Sequence, residues 1–279
     1  MAHSIRRLWD DATHTWNTMP KPQALRWYAA VLRHAPTVLR ERKLYSADRE
    51  MHGNLHFYLF GATFPVDVNA INSTSSNGYA FLREFFVRQI YFRAFKHLKF
   101  DTCLDLGCNT GVVSSFLRQL GGPQGRVVGV DALLYPNNAY RARTASIPGV
   151  TFHQGVLCGE SVRQTPVALR ALCDRYHFDA ELAITVGEIM DRYHLQHVDF
   201  LKMDIEGAEF AIFRDAAPWL QRVDNLAMEV HKKVGDPSEI IARLQQAGYQ
   251  VRWLDDAGYP VAPSLAGYIY ASRTGAMKD

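Results

Sequence analysis

From residue 101 onward, short apolar runs alternate with amphipathic stretches, and this alternation constrains the fold more than any other feature of the chain. "DTCLDLG" reads as a buried strand, "GVVSSFLRQLG" as a helix, "GRVVGVDA" as a second strand, "NNAYRARTAS" as a helix and "GVTFHQGVLC" as a third strand. After the excursion "GESVRQTPVALRALCDRYHFDAEL" and a helix at "TVGEIMDRYHL", the pattern resumes. "VDFLKMD" and "DNLAMEVH" are strands four and five, with the helix "AEFAIFRDAAPWL" between them. A helix at "PSEIIARLQQAG", capped by Asp236, and the strands "YQVRWLDD" and "LAGYIYASR" close the unit. A parallel crossover needs a helix to bring the chain back, so the alternation predicts an α/β fold with a mostly parallel sheet and helices on both faces.

The first part of the chain has a different character. "PKPQALRWYAAVLRHAPTVLRERKLY" carries apolar residues at helical spacing, "LHFYLFGATFPVDV" reads as two strands around a Gly61 turn, and "NAINSTSSNGY" as a mobile polar loop. We expect residues 1–78 to form a mainly helical cap with a hairpin, and 79–279 the α/β domain. The aromatic stripe in "AFLREFFVRQIYFRAFKHLKF" is expected on a helix packed against the following sheet, with a homodimer interface or substrate lid as its other uses.

Composition narrows the function classes. A chain with 48% hydrophobic and 21% charged residues is globular, not disordered. The net charge of +3 is concentrated in residues 1–50, where nine Lys/Arg face five Asp/Glu. No block of like charges and no base-stacking motif accompanies it, so a solvated basic face is favoured over a nucleic-acid partner. Cys103, Cys108, Cys158 and Cys173 form neither a C-x-x-C pair nor a zinc pattern, which fits a reducing compartment. Asp10 and Asp11 fall where a signal peptide would need its apolar run, and no stretch reaches the length of a membrane span, so a cytoplasmic protein is expected. Asn72-Ser73-Thr74 matches a glycosylation acceptor without a secretory context.

Ligands of such sheets sit beyond the carboxyl ends of the strands, where the winding direction reverses. Strand one ends in Asp105-Leu106-Gly107-Cys108-Asn109-Thr110-Gly111, a glycine turn leading into a helix. Its spacing is not the G-x-G-x-x-G of dinucleotide sites, and Asp105 would repel a pyrophosphate while attracting a cation. Strand two ends at Asp131 and Ala132, where a carboxylate can accept both hydroxyls of a ribose. An adenosine with a cationic amino-acid tail satisfies both acids, which describes S-adenosylmethionine. Gly155, Val156 and Leu157, at the end of strand three, are candidates to line the adenine.

The acceptor half is expected from strands four and five. Asp204 ends strand four, Glu206 follows it, and Glu209 reads as a helix-dipole partner. Lys202, inside an apolar strand, needs a carboxylate as counter-charge. Glu229 and His231 are two apart and so share a face, which would let them converge with Asp204. Transfer of a methyl group to a hydroxyl needs a proton acceptor, for which His231, Glu206 and Glu229 are the candidates. A divalent cation held by a carboxylate pair is the alternative, with no specific ligand set indicated.

"CLDLGCNTG", "VVGVDA", "VDFLKMDIEGAEF" and "LAMEVH" resemble the FkbM family of S-adenosylmethionine-dependent methyltransferases, whose signature is the D-[IV]-E-G-x-E segment on strand four. The resemblance runs from about residue 100 to 231. It implies a Rossmann-like class I fold with seven strands in the order 3-2-1-4-5-7-6, strand seven alone antiparallel, and O-methylation of a small molecule or sugar. Carried over, Asp105, Gly107 and Gly111 would hold the methionine part, with Cys108 and Asn109 in the same turn. Asp131 would hold the ribose, and Asp204 to Glu209 would border the acceptor. Cys108 stands where the family often has alanine. Competing readings are methylation of an amine or an RNA, a protein that binds S-adenosylmethionine without transferring its methyl group, and a nicotinamide enzyme.

Overall fold

The computed structural model of the chain describes residues 2–41, 43–72, 78–133, 137–215 and 217–278. It divides into two compact units, Met1–Arg93 with Pro136–Ala142, and Ala94–Tyr135 with Arg143–Asp279. The first boundary therefore falls later than the 78/79 division expected from composition.

In the first unit, the helices Ala2–Thr18, Lys21–Arg33 and Ala35–Glu41 precede a hairpin of β1 (Asn54–Leu59) and β2 (Ala62–Asp67). Phe60 and Gly61 at its tip both have positive φ, the conformation that matches a two-residue turn to the twist of its strands. Of the polar segment expected to be a loop, residues 73–77 lie outside the described residues; its start belongs to the helix Val68–Asn72 and its last residue, Tyr79, opens the next helix. The long aromatic helix expected next is broken: Tyr79–Leu82 is α-helical, Arg83–Val87 is a π-helical turn, and Gln89 has φ 52°. Arg83 opens the π-helical turn and, almost fully buried, holds Asp11 and Asp48 at 2.9 Å each. The aromatic stripe accordingly serves two units instead of one sheet. Phe86 stacks on Phe57 of the hairpin with ring centroids 4.4 Å apart, and Phe92 meets Phe60 edge-on. Phe95, in the second unit, packs on Phe200 and Tyr270.

The second unit is built on β3 (Thr102–Leu106), β4 (Arg126–Asp131), β5 (Val150–Gln154), β6 (Val156–Leu157), β7 (Ala183–Ile184), β8 (Val198–Met203), β9 (Val223–Glu229), β10 (Gln250–Leu254) and β11 (Tyr268–Ser272). Seven of these form one sheet in the order β10-β11-β9-β8-β3-β4-β5, with β11 alone antiparallel to its neighbours. The detail beyond the simple scheme is the short ladder β6-β7, split from β5 at Gly155, where the sequence suggested one continuous strand. All six residues of β8 are buried, as a central parallel strand requires. Leu104, Leu106, Leu201, Met203, Leu226 and Met228 form its core, each burial stabilising by about 1.5–3 kcal/mol. Asp236 caps its helix through the Ser238 N–H at 2.9 Å, as the sequence indicates. The winding reverses between β3 and β8, so the carboxyl ends of β3, β4 and β8 open onto a common cleft.

Candidate active site

The turn after β3 is closed by its neighbours. Gly107 and Cys108 both donate their N–H to Val130 O, and Asp204 donates to Leu106 O. Gly107, at φ 76°, passes so close to β8 that a Cβ there would sit 1.7 Å from Asp204 O. Gly111 has φ 89°, and its missing side chain leaves room for the Phe152 ring. Among the described residues, the cleft is lined on one side by Gly107, Asp131, Ala132, Gly155 and Val156, and on the other by Asp204, Ile205 and Glu206. Val130, Leu157 and Ala208 complete it. Asp131 is fixed by the N–H groups of Asn109 and Leu133, at 2.8 and 2.9 Å, and remains partly exposed.

Asp105, expected to hold the methionine part, faces the interior of the unit. It is fully buried, accepts from Ser114 Oγ at 2.6 Å and pairs with Lys202 Nζ at 3.3 Å. Register explains this, because Asp105 on β3 lies directly opposite Lys202 on β8. Burial alone would push the Lys202 ammonium toward neutrality. Asp105, with Asp204 behind it, outweighs that and raises its pKa above the usual lysine value. Lys202 also donates to Gly107 O at 2.7 Å, so the pair anchors the turn from beneath. Cys108 is likewise buried, and a Cβ on Gly129 would meet its Sγ at 3.0 Å. Cys108, Asn109 and Gly111 shape the turn, and the Asn109 N–H holds the Asp131 carboxylate of the cleft.

Opposite, "DIEGAEF" makes a tight turn, with Glu206 at φ 55° and Gly207 at φ 103°. Glu209, which the sequence suggested was only a dipole partner, is the buried centre of this half. Its Oε2 accepts from Gly207 N at 2.9 Å, and its Oε1 from the His231 N–H and ring Nδ1 at 2.7 and 2.9 Å. A signal for it was present: Glu209, Ile212 and Phe213 fall at i, i+3 and i+4, the buried face of the helix Glu209–Arg214. His231 turns Nε2 toward Glu206 at 3.4 Å and Asp204 at 4.0 Å. The Glu209 hydrogen bond, opposed by partial burial and reinforced by the charges of Glu209, Asp204 and Glu206, raises the ring to about 9. The ligand-capable atoms of Asp204, Glu206 and His231 lie within 4.8 Å of one another, and with the ring protonated this group and Glu209 keep a net negative charge. Glu229 stays outside this group. β9 ends at Glu229, so the strand alternation that would align it with His231 stops there.

A parallel sheet that reverses its winding at a glycine turn, with a fixed aspartate ending the next strand and an acidic turn opposite, defines the Rossmann-like methyltransferase class. Residues 105–251, just over half of the chain, match the family model described as "Methyltransferase FkbM domain". The chain belongs to the FkbM methyltransferase family, and by family and fold it is an S-adenosylmethionine-dependent methyltransferase. Among curated proteins, none matches it. Among solved structures, it is similar to a SAM-dependent methyltransferase from Aquifex aeolicus, at 16% identity over 63% of this chain and 84% of that one, TM-score 0.31. It is similar to precorrin-6y C5,15-methyltransferase from Geobacter metallireducens, at 14% over 67% and 88%, TM-score 0.34. Fibrillarin from Aeropyrum pernix, with natively bound S-adenosyl-L-methionine, is similar at 17% over 78% and 94%, TM-score 0.33.

Proposed function

We propose that the protein methylates a hydroxyl group of a small molecule, with S-adenosylmethionine held between the glycine turn and Asp131. The observation that supports this reading is the single cleft in which Gly107, Asp131 and Ala132 face Asp204 and Glu206. Its residues fit the cofactor. The Asp131 carboxylate, oriented by two main-chain N–H groups, would accept the ribose hydroxyls. Ala132, Gly155, Val156 and Leu157 offer an apolar wall for the adenine. The carboxylates of Asp131, Asp204 and Glu206 favour a cationic ligand over a pyrophosphate. When bound, the cofactor supplies an electrophilic methyl group.

The acceptor hydroxyl must lose its proton as the new O–C bond forms. His231 Nε2 is the proposed proton acceptor. Glu209 holds Nδ1, which leaves Nε2 as the exchanging atom and aims it at the acidic rim. A ring that titrates near 9 is mostly protonated at neutral pH, so kcat/KM should climb with pH and level off above about 9. The test is a pH profile of wild type and His231→Gln with a panel of alcohol, phenol and sugar acceptors, the product located by fragmentation mass spectrometry. A methyl group on oxygen and a climbing limb lost in His231→Gln support the reading. A methyl group on nitrogen overturns the acceptor class, and an unchanged profile in the variant removes His231 as the base.

A further inference from the structure

Every seven residues the first unit repeats a Leu-Arg pair: Leu25-Arg26, Leu32-Arg33 and Leu39-Arg40. The helices Lys21–Arg33 and Ala35–Glu41 that carry them are joined through His34 with helical hydrogen bonding, His34 N to Ala30 O and Val38 N to His34 O. Seven residues are nearly two full turns, so Leu25 and Leu32 fall on one face of the first helix, and after the His34 junction Leu39 lies on the second. Ala24, Trp27, Ala30 and Val38 are buried on the opposite side. The leucines point outward: Leu25 is 55% exposed, Leu32 76% and Leu39 72%. Pro22, Ala29 and Pro36, also exposed, fill the gaps between them. Exposed apolar residues on two successive helices are thus turned to solvent, contrary to the usual arrangement of a surface helix.

Basic groups accompany these residues. Lys21, Arg26, Arg33 and Arg40 are exposed beside them, and Glu41, paired with Arg40, is the exposed acid on these two helices among the described residues. Glu50 offsets Arg33, and Arg26 donates to the main-chain oxygens of Glu50 and His52, leaving its charge in place. Trp16, 40% exposed with the Lys21 ammonium 4.2 Å above its ring, adds an amphipathic aromatic at the start of the first helix. Apolar residues that enter an acyl layer, flanked by cations that meet phosphates, are the chemistry of a helix lying in a membrane interface. Among the described residues no helix is long and apolar enough to cross a membrane, so attachment here means lying on its surface.

We propose that the Lys21–Glu41 helical face docks the protein on an anionic lipid surface, the leucines entering the acyl boundary and the lysine and arginines contacting headgroup phosphates. A second copy of the chain is the competing occupant, and the excess of positive charge disfavours it because two such faces would repel. The test is sedimentation of the full chain with phosphatidylcholine vesicles, with and without a minor fraction of phosphatidylglycerol. Binding is expected only with the anionic lipid, weakened several-fold as salt rises beyond the physiological range. Leu32→Glu with Leu39→Glu should lower the partition coefficient about tenfold or more. Lys21→Glu with Arg40→Glu should do the same without touching an apolar group, and Val167→Glu, on an exposed residue of the other unit, should change nothing. Circular dichroism checks that each variant is folded. Absence of binding to anionic vesicles, equal binding to neutral ones, or a concentration-dependent dimer that the leucine variants dissociate overturns the proposal.

Discussion

Asp105, Gly107, Glu209 and His231 show how far a residue's role depends on the atoms beside it. Gly107 has no substitute, because its φ of 76° and the 1.7 Å approach to Asp204 O exclude any side chain. Gly107→Ala is expected to cost about 3 kcal/mol or more and to abolish cofactor binding, read by urea denaturation and by calorimetry with S-adenosylhomocysteine. His231 gives a pH prediction. Its folded pKa of about 9 lies above the ordinary 6.5, so the folded chain binds that proton more tightly than the unfolded one. The stabilisation is complete below about 6.5 and is lost as pH rises through about 9, by about 3 kcal/mol in all. Urea midpoints for wild type should therefore fall more between neutral pH and pH 10 than those of His231→Gln. Parallel declines would show that the ring gains nothing from Glu209.

At the scale of elements, the decisive pairing is β3 against β8. Asp105 in "CLDL" and Lys202 in "FLKM" each sit inside an apolar run, and register sets them opposite each other. A buried charge stripped of its partner is costly, whereas removing both partners can cost little. Asp105→Asn should lose about 3–5 kcal/mol by leaving the Lys202 ammonium uncompensated. The double variant Asp105→Asn, Lys202→Met should lose less than the sum of the single changes, with a coupling of about 1–3 kcal/mol in a double-mutant cycle. Additive losses would mean that the two charges do not act as a pair.

For the whole molecule, the cleft belongs to the unit Ala94–Tyr135 with Arg143–Asp279, and a ligand that binds only its folded form stabilises that unit by mass action. S-adenosylhomocysteine at a hundredfold excess over its Kd should stabilise it by about 2.7 kcal/mol, a rise of several degrees in scanning calorimetry. NADH at the same concentration should have no effect, since its pyrophosphate would meet the carboxylates of Asp131, Asp204 and Glu206. A comparable rise with NADH would place the molecule in a different ligand class.

The period of the apolar residues, the glycine turns and the Asp236 cap all act over a few residues, and they determined the strand-helix succession, the hairpin at Phe60-Gly61 and the cleft at the strand ends. They also marked Asp131, Ala132, Gly155, Val156, Asp204 and Glu206, which do line the cleft. Only the tertiary structure decided which acids face the cleft and which serve the interior. Asp105 turned inward because strand register set it against Lys202, and Glu209 became the keystone of the acidic half because the Gly207 turn brought it under His231. Glu229 fell away because its strand stops there. A carboxylate's function is set by the cations and N–H groups within about 3–4 Å of it, and at Asp105 and Glu209 those neighbours come from distant stretches of chain that only folding brings into contact.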